Sequence, residues 1–104
     1  MTDSNELLQL ALKIACQAGD LLVNRPASWD ITVKSTAIDI ATQMDTASEK
    51  LIVESILAAR PDDGIIGEEG ASRESKSGVT WVIDPVYGTV NYFYGLPGWA
   101  ISIA

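Results

Sequence analysis

Leu7, Ala11, Ile14, Ala18 and Leu21 recur at the i, i+3, i+4, i+7 spacing, and Leu8, Ala15 and Leu22 widen the same stripe. This periodicity predicts an amphipathic helix over residues 4–23. Asp3 and Glu6 have capping-box spacing at its start, and Asn24-Arg25-Pro26 is its stop. Residues 30–34, Asp30-Ile31-Thr32-Val33-Lys34, alternate like a short strand. A second stripe, Ile40, Met44, Ala47, Leu51, Ile52, Ile56 and Ala59, predicts a helix from about residue 40 to 60, ended by Arg60-Pro61-Asp62-Asp63-Gly64. Two short apolar strands follow at 64–67 and 79–83, separated by a polar loop at 72–78, and residues 98–104 read as a last strand. No repeat interrupts this order. Two helices followed by several strands predict an α+β layer arrangement, two helices on a mainly antiparallel sheet. A chain that stops at an apolar strand leaves a sheet edge uncovered, which implies that more chain follows.

Composition narrows the class. At 104 residues and 47% apolar, the chain is long enough for one domain with a core. No apolar run approaches bilayer length, so no membrane partner is expected. Met1 to Glu6 is polar and acidic, unlike a secretory leader, which predicts a cytoplasmic protein. Fourteen acidic residues against seven basic ones leave no basic face for nucleic acid. The acidic excess has two readings, solubility and a cation site that gathers carboxylates. The absence of histidine excludes a histidine phosphotransfer site, a Ser-His-Asp triad and a His-ligated zinc site within this span. Cys16 has no partner for an internal disulfide and falls opposite the apolar stripe, so it is read as structural.

The chemistry gathers in three segments: 34–45, the step Gly67-Glu68-Glu69-Gly70, and 81–92. Glu68 and Asp84 each follow an apolar strand directly, and carboxylates on neighbouring strand ends can converge on a hard cation such as magnesium. A solvated turn is the ordinary alternative for Glu68-Glu69, and an ordinary turn start for Asp84-Pro85. Gly88 and Thr89 after a strand would let a phosphate approach the backbone, especially if a short helix begins there; a ligand-free loop is the alternative. Tyr92-Phe93-Tyr94 and Trp99 are read as core and wall residues.

Trp81-Val82-Ile83-Asp84-Pro85-Val86-Tyr87-Gly88-Thr89-Val90-Asn91-Tyr92 resembles the inositol monophosphatase signature W-x-x-D-P-[ILV]-D-G-T-x-N-[FY] at every position except Tyr87. Gly95 and Pro97 continue the likeness, Gly67-Glu68-Glu69 resembles the family's Gly-Glu-Glu, and Lys34-Ser35 with Asp39, Thr42, Asp45 and Glu49 resembles the segment entering its second helix. Motifs in order and spacing across almost the whole chain are far more specific than any one of them.

The resemblance implies a magnesium-dependent phosphomonoesterase in which water attacks phosphate directly, with two or three magnesium ions stabilising the attacking and leaving oxygens. Glu68, Asp84 and the backbone carbonyl of Val86 would bind Mg2+. Thr89, helped by Asp45, would orient or activate the water, and the backbone of Gly88 and Thr89 would hold a phosphate oxygen. The substrate would be a small phosphorylated polyol, with histidinol phosphate also open, and a full-length member would be a homodimer.

Two departures stand out. Tyr87 occupies the position of a family metal aspartate and is a poor magnesium ligand. Family members are also more than twice as long, so residues 1–104 resemble the N-terminal part of such a domain, with the C-terminal half and its further metal aspartate absent. Truncation and Tyr87 would leave the isolated chain inactive. A catalytically degenerate member with an interaction or regulatory role is the main alternative. A binding domain whose carboxylates are merely solvated is the third.

Overall fold

Asp3 opens the first helix, its carboxylate accepting from the Asn5 N–H, and the helix α1 runs Ser4–Val23 in the computed structural model, which describes residues 3–34 and 40–104. The stripe read from the sequence turns inward, with Ile14, Ala18 and Leu22 buried, while Cys16 is exposed on the other side. Strand β1, Ile31–Val33, then pairs antiparallel with β2, Ile40–Thr42.

The second helix, α2, spans Gln43–Ala59, so it starts three residues later than the apolar spacing predicts. The reason is chemical. Thr42 caps the helix by accepting from the Met44 N–H, and Asp45 reaches back to the Thr42 N–H, a reciprocal capping box. Ile40 belongs to β2 instead of the helical stripe. Ser35 and Asp39 lie outside the described residues.

Four strands form the main sheet, in the order β4-β3-β5-β6: β3 Gly64–Gly67, β4 Ser72–Arg73, β5 Thr80–Tyr87 and β6 Ala100–Ile103. The outer ladders are antiparallel and β3 and β5 run parallel, so the sheet is mainly antiparallel, as expected, with one parallel pair at its centre. A parallel pair needs a long crossover. Residues 68–79 supply it and place β4, read from the sequence as part of a polar loop, on the outer edge of β3.

The helices cover one face. Trp81 and Ile83 alternate inward from β5 and Ile65 from β3, packing with Ile14, Ala18, Ile52 and Ile56 into one hydrophobic cluster. Their strand neighbours Val82 and Ile66 point outward and are exposed. A second cluster joins Leu22, Met44, Val86 and Tyr92, ringed by Trp29 and Trp99 in edge-to-face contact with Tyr92. The Tyr92 hydroxyl donates to the Leu22 carbonyl at 2.6 Å, tying the end of α1 to the third helix, α3, Thr89–Tyr94. Arg25 lies over the rings of Tyr92 and Trp29 and donates to the carbonyls of Tyr92 and Phe93. Among the described residues no helix is long and apolar enough to cross a membrane.

Candidate functional site

β5 contains an irregularity that shapes the site. Asp84 pairs with Ser102 and Tyr87 with Ala100, so three steps on β5 face two on β6. The extra residue is a β-bulge, which takes backbone groups out of the ladder and re-aims side chains. Proline is tolerated there because it has no N–H to lose. Asp84 is therefore inside β5, not after its end as the sequence reading placed it, and the bulge does what a strand end would have done. It frees two carbonyls: Pro85 accepts from the Ser48 hydroxyl at 3.0 Å, and Val86 lies 3.0 Å from the Thr89 hydroxyl. It also lets both Pro85 and Val86 bury, while Tyr87 turns out to 65% exposure.

Beyond the bulge Gly88 takes the left-handed conformation, φ 80°, and starts α3. A Cβ there would come within 2.6 Å of the Gly98 carbonyl oxygen, so the glycine is required by close backbone packing as well as by its dihedral. The turn delivers the Thr89 hydroxyl to Asp45, 44 positions earlier, at 2.7 Å from Oδ1. Asp45 is only 2% exposed, and its Oδ2 accepts from both the N–H and the hydroxyl of Thr42 at 2.8 Å. Thr89 has one proton and two acceptors in reach. The charged carboxylate is nearer than the Val86 carbonyl and the stronger partner.

Asp45, Glu68, Asp84, Val86, Gly88 and Thr89 all line one cleft of about 310 Å³, with Lys34 and Glu69 on its wall. Tyr87 does not line it. Lys34 pairs with Glu69 at 3.0 Å and with Glu68 at 3.7 Å. The Glu68 side chain is about half exposed, whereas Glu69 is largely covered. Burial raises the Asp84 carboxyl above its ordinary range, and repulsion from Glu68 and Asp45 adds to this; the Val86 N–H and Lys34 oppose it. A cleft that disfavours the charge of its own carboxylate is one in which a cation would be welcome. Among the described residues no three acidic, histidine or cysteine side chains converge tightly enough to grip a metal unaided. Glu68, Asp84 and the Val86 carbonyl are hard oxygen donors, the type that magnesium takes a few of while filling the rest of its shell with water and substrate phosphate.

Lys34 and Glu49 entered the sequence analysis only as parts of a motif, without a role, and Ser48 was not singled out at all. Their signal was available: 45, 48 and 49 share one helical face with the buried Met44, Ile52 and Ile56, an unusual place for polar side chains.

The chain matches the inositol monophosphatase family over residues 3–104. It is 41% identical over 96% of its length to the Nus factor SuhB of Pasteurella multocida, and 42% identical over 71% of its length to an inositol-1-monophosphatase of Mycobacterium leprae. It spans 39% and 27% of those two proteins. Its fold superposes on the extragenic suppressor protein suhB of Bartonella henselae with a TM-score of 0.88 and 29% identity, covering 95% of this chain and 40% of that one. With the Asp84–Asn91 turn, the Gly67-Glu68-Glu69 step and the α2 carboxylate meeting at one cleft, and the likeness running from end to end, this chain belongs to the inositol monophosphatase family.

Proposed function

We propose that the chain is the N-terminal, cation-holding part of a magnesium-dependent phosphomonoesterase acting on inositol phosphate or a related polyol phosphate. The observation that carries this reading is the Thr89 hydroxyl held 2.7 Å from Asp45 in the same cleft as Glu68 and Asp84. Glu68, Asp84 and the Val86 carbonyl would hold the metal. Magnesium, when bound, would neutralise phosphate charge and stabilise the attacking and leaving oxygens. By donating to Asp45, Thr89 leaves the Val86 carbonyl available and keeps lone pairs free to accept a hydrogen bond from a water and orient it for attack, and the water's proton could pass to Thr89 as the Thr89 proton passes to Asp45. The Gly88–Thr89 backbone would steady a phosphate oxygen. Tyr87 offers no carboxylate and faces solvent, so the site would run with one ligand fewer than its family pattern.

The test is a chimaera that completes this chain with the missing length of the Pasteurella multocida relative. It should release inorganic phosphate from inositol monophosphates only with magnesium, and Asp84→Asn should abolish the release. Release that is indifferent to magnesium, or unchanged by Asp84→Asn, would overturn the assignment. A second reading, an interaction role without turnover, is favoured by Tyr87 and by a relative named as a Nus factor. It predicts a folded chimaera that binds magnesium yet releases no phosphate.

A further inference from the structure

We infer that Ser48 and Glu49 are positioning residues that set the two cation-binding segments, the turn after β3 and the bulge of β5, in register, an inference that rests on the cation reading above. α2 presents Asp45, Ser48 and Glu49 at i, i+3 and i+4, all buried on the face that packs against the sheet. Placing polar groups there is costly unless each is fully hydrogen-bonded, and each is used on a different segment of the cleft.

Glu49 is 4% exposed and accepts from the Glu69 N–H through both oxygens, at 3.0 and 3.1 Å, and from the Ala71 N–H at 3.2 Å. A Cβ at Gly67 would run into the same carboxylate. The Glu69 and Ala71 N–H groups are thus seated on one buried carboxylate, with Gly67 packed closely against it. Glu68 lies between Gly67 and Glu69 in this segment, and its own residue lines the cleft. Ser48, fully buried, donates to the Pro85 carbonyl at 3.0 Å, between Asp84 and Val86. Neither Ser48 nor Glu49 lines the cleft, so neither touches cation or substrate. Magnesium demands ligands at about 2.0–2.1 Å in a tight octahedron, so a carboxylate in the turn after β3 and another inside β5 must be held to a fraction of an ångström. One helix gripping both segments is how this fold can do it.

The experiment uses the 104-residue chain. Magnesium affinity is measured by calorimetry, and amide exchange by NMR, for the wild type, Glu68→Gln, Glu49→Gln and Ser48→Ala. Glu49→Gln should weaken magnesium binding about tenfold or more, the usual effect of removing a ligand's support. It should also speed exchange at Glu69 and Ala71, while Val82, bonded to Ala104 in the sheet, stays protected. Ser48→Ala changes no charge. It should weaken binding with Glu69 and Ala71 still protected, which separates positioning from simple loss of negative charge. If Glu68→Gln loses binding but Glu49→Gln and Ser48→Ala match the wild type, the inference fails while the cation reading stands. If the wild type binds no magnesium, the cation reading falls and takes the inference with it. Should Glu49→Gln lose protection at Val82, it has unfolded, and Ser48→Ala decides alone: weaker binding supports the inference, equal affinity overturns it.

Discussion

Asp63 is only 1% exposed and does not line the cleft. Burial alone would raise its pKa, but hydrogen bonds from Arg60, Ser77 and the Trp81 ring N–H outweigh it and hold the carboxyl below its ordinary 3.8. A depressed folded pKa means stability that is fully present above the unfolded value and is lost as pH falls through the folded one. Acid titration of folding should therefore show a loss of stability below about pH 4, and Asp63→Asn should flatten that limb while lowering stability at neutral pH. Urea midpoints across pH check this; an unchanged acid limb in Asp63→Asn would assign the loss elsewhere. Tyr87 is a different case. Its exposure makes replacement cheap, so any effect of Tyr87→Asp must come through the site. In the completed chimaera this reversal should raise the catalytic rate about a hundredfold, a transition-state gain of roughly 2.7 kcal/mol. Equal rates at saturating magnesium would show that Tyr87 is not what limits turnover.

At the scale of elements, the start of α2 deserves a direct probe because it is both a helix cap and the mount of Asp45. Thr42→Ala removes the side-chain oxygen that accepts from the Met44 N–H and donates to Asp45. The expected cost is about 1 kcal/mol of stability, with a larger proportional loss of activity in the chimaera because Asp45 is left with one bond fewer. A thermal melt beside a rate measurement distinguishes the two. The same region shows where sequence patterning stops being informative. α1 was legible because its stripe and its Asp3 cap agree. At α2 the stripe continued through Ile40, and only the capping geometry of Thr42 and Asp45 moves the start to Gln43. β4 was invisible because Ser72-Arg73 has no apolar alternation; its strand character comes wholly from its partner β3. Asp84, Thr89 and Asp45 could be picked out by the family pattern. The bulge that orients Pro85 and Val86 could not, because it exists only relative to β6.

For the whole molecule, the cleft is assembled from segments far apart in the chain, so a cation that bridges Glu68 and Asp84 binds the folded state and not the unfolded one. Magnesium should then raise the melting temperature by mass action, by about 2.7 kcal/mol of stabilisation at a hundredfold excess over Kd. Glu68→Gln or Asp84→Asn should remove most of that gain. Melting curves across a magnesium series check it, and a full shift retained in both variants would exclude these two residues as ligands.

The division of the interior into two packing clusters also divides the tryptophans. Trp81 belongs to the cluster between the helices and the sheet; Trp29 and Trp99 flank Tyr92 in the second cluster, which also holds Val86. The molecule thus carries separate fluorescent reporters for its body and its working end. Emission from Trp81 should follow the body, and because its ring N–H donates to Asp63 at 2.9 Å that signal should change as Asp63 is protonated. In Trp81→Phe only the pair around Tyr92 emits. That variant would let the ordering of α3 and its Thr89 be watched by light, apart from the rest of the fold.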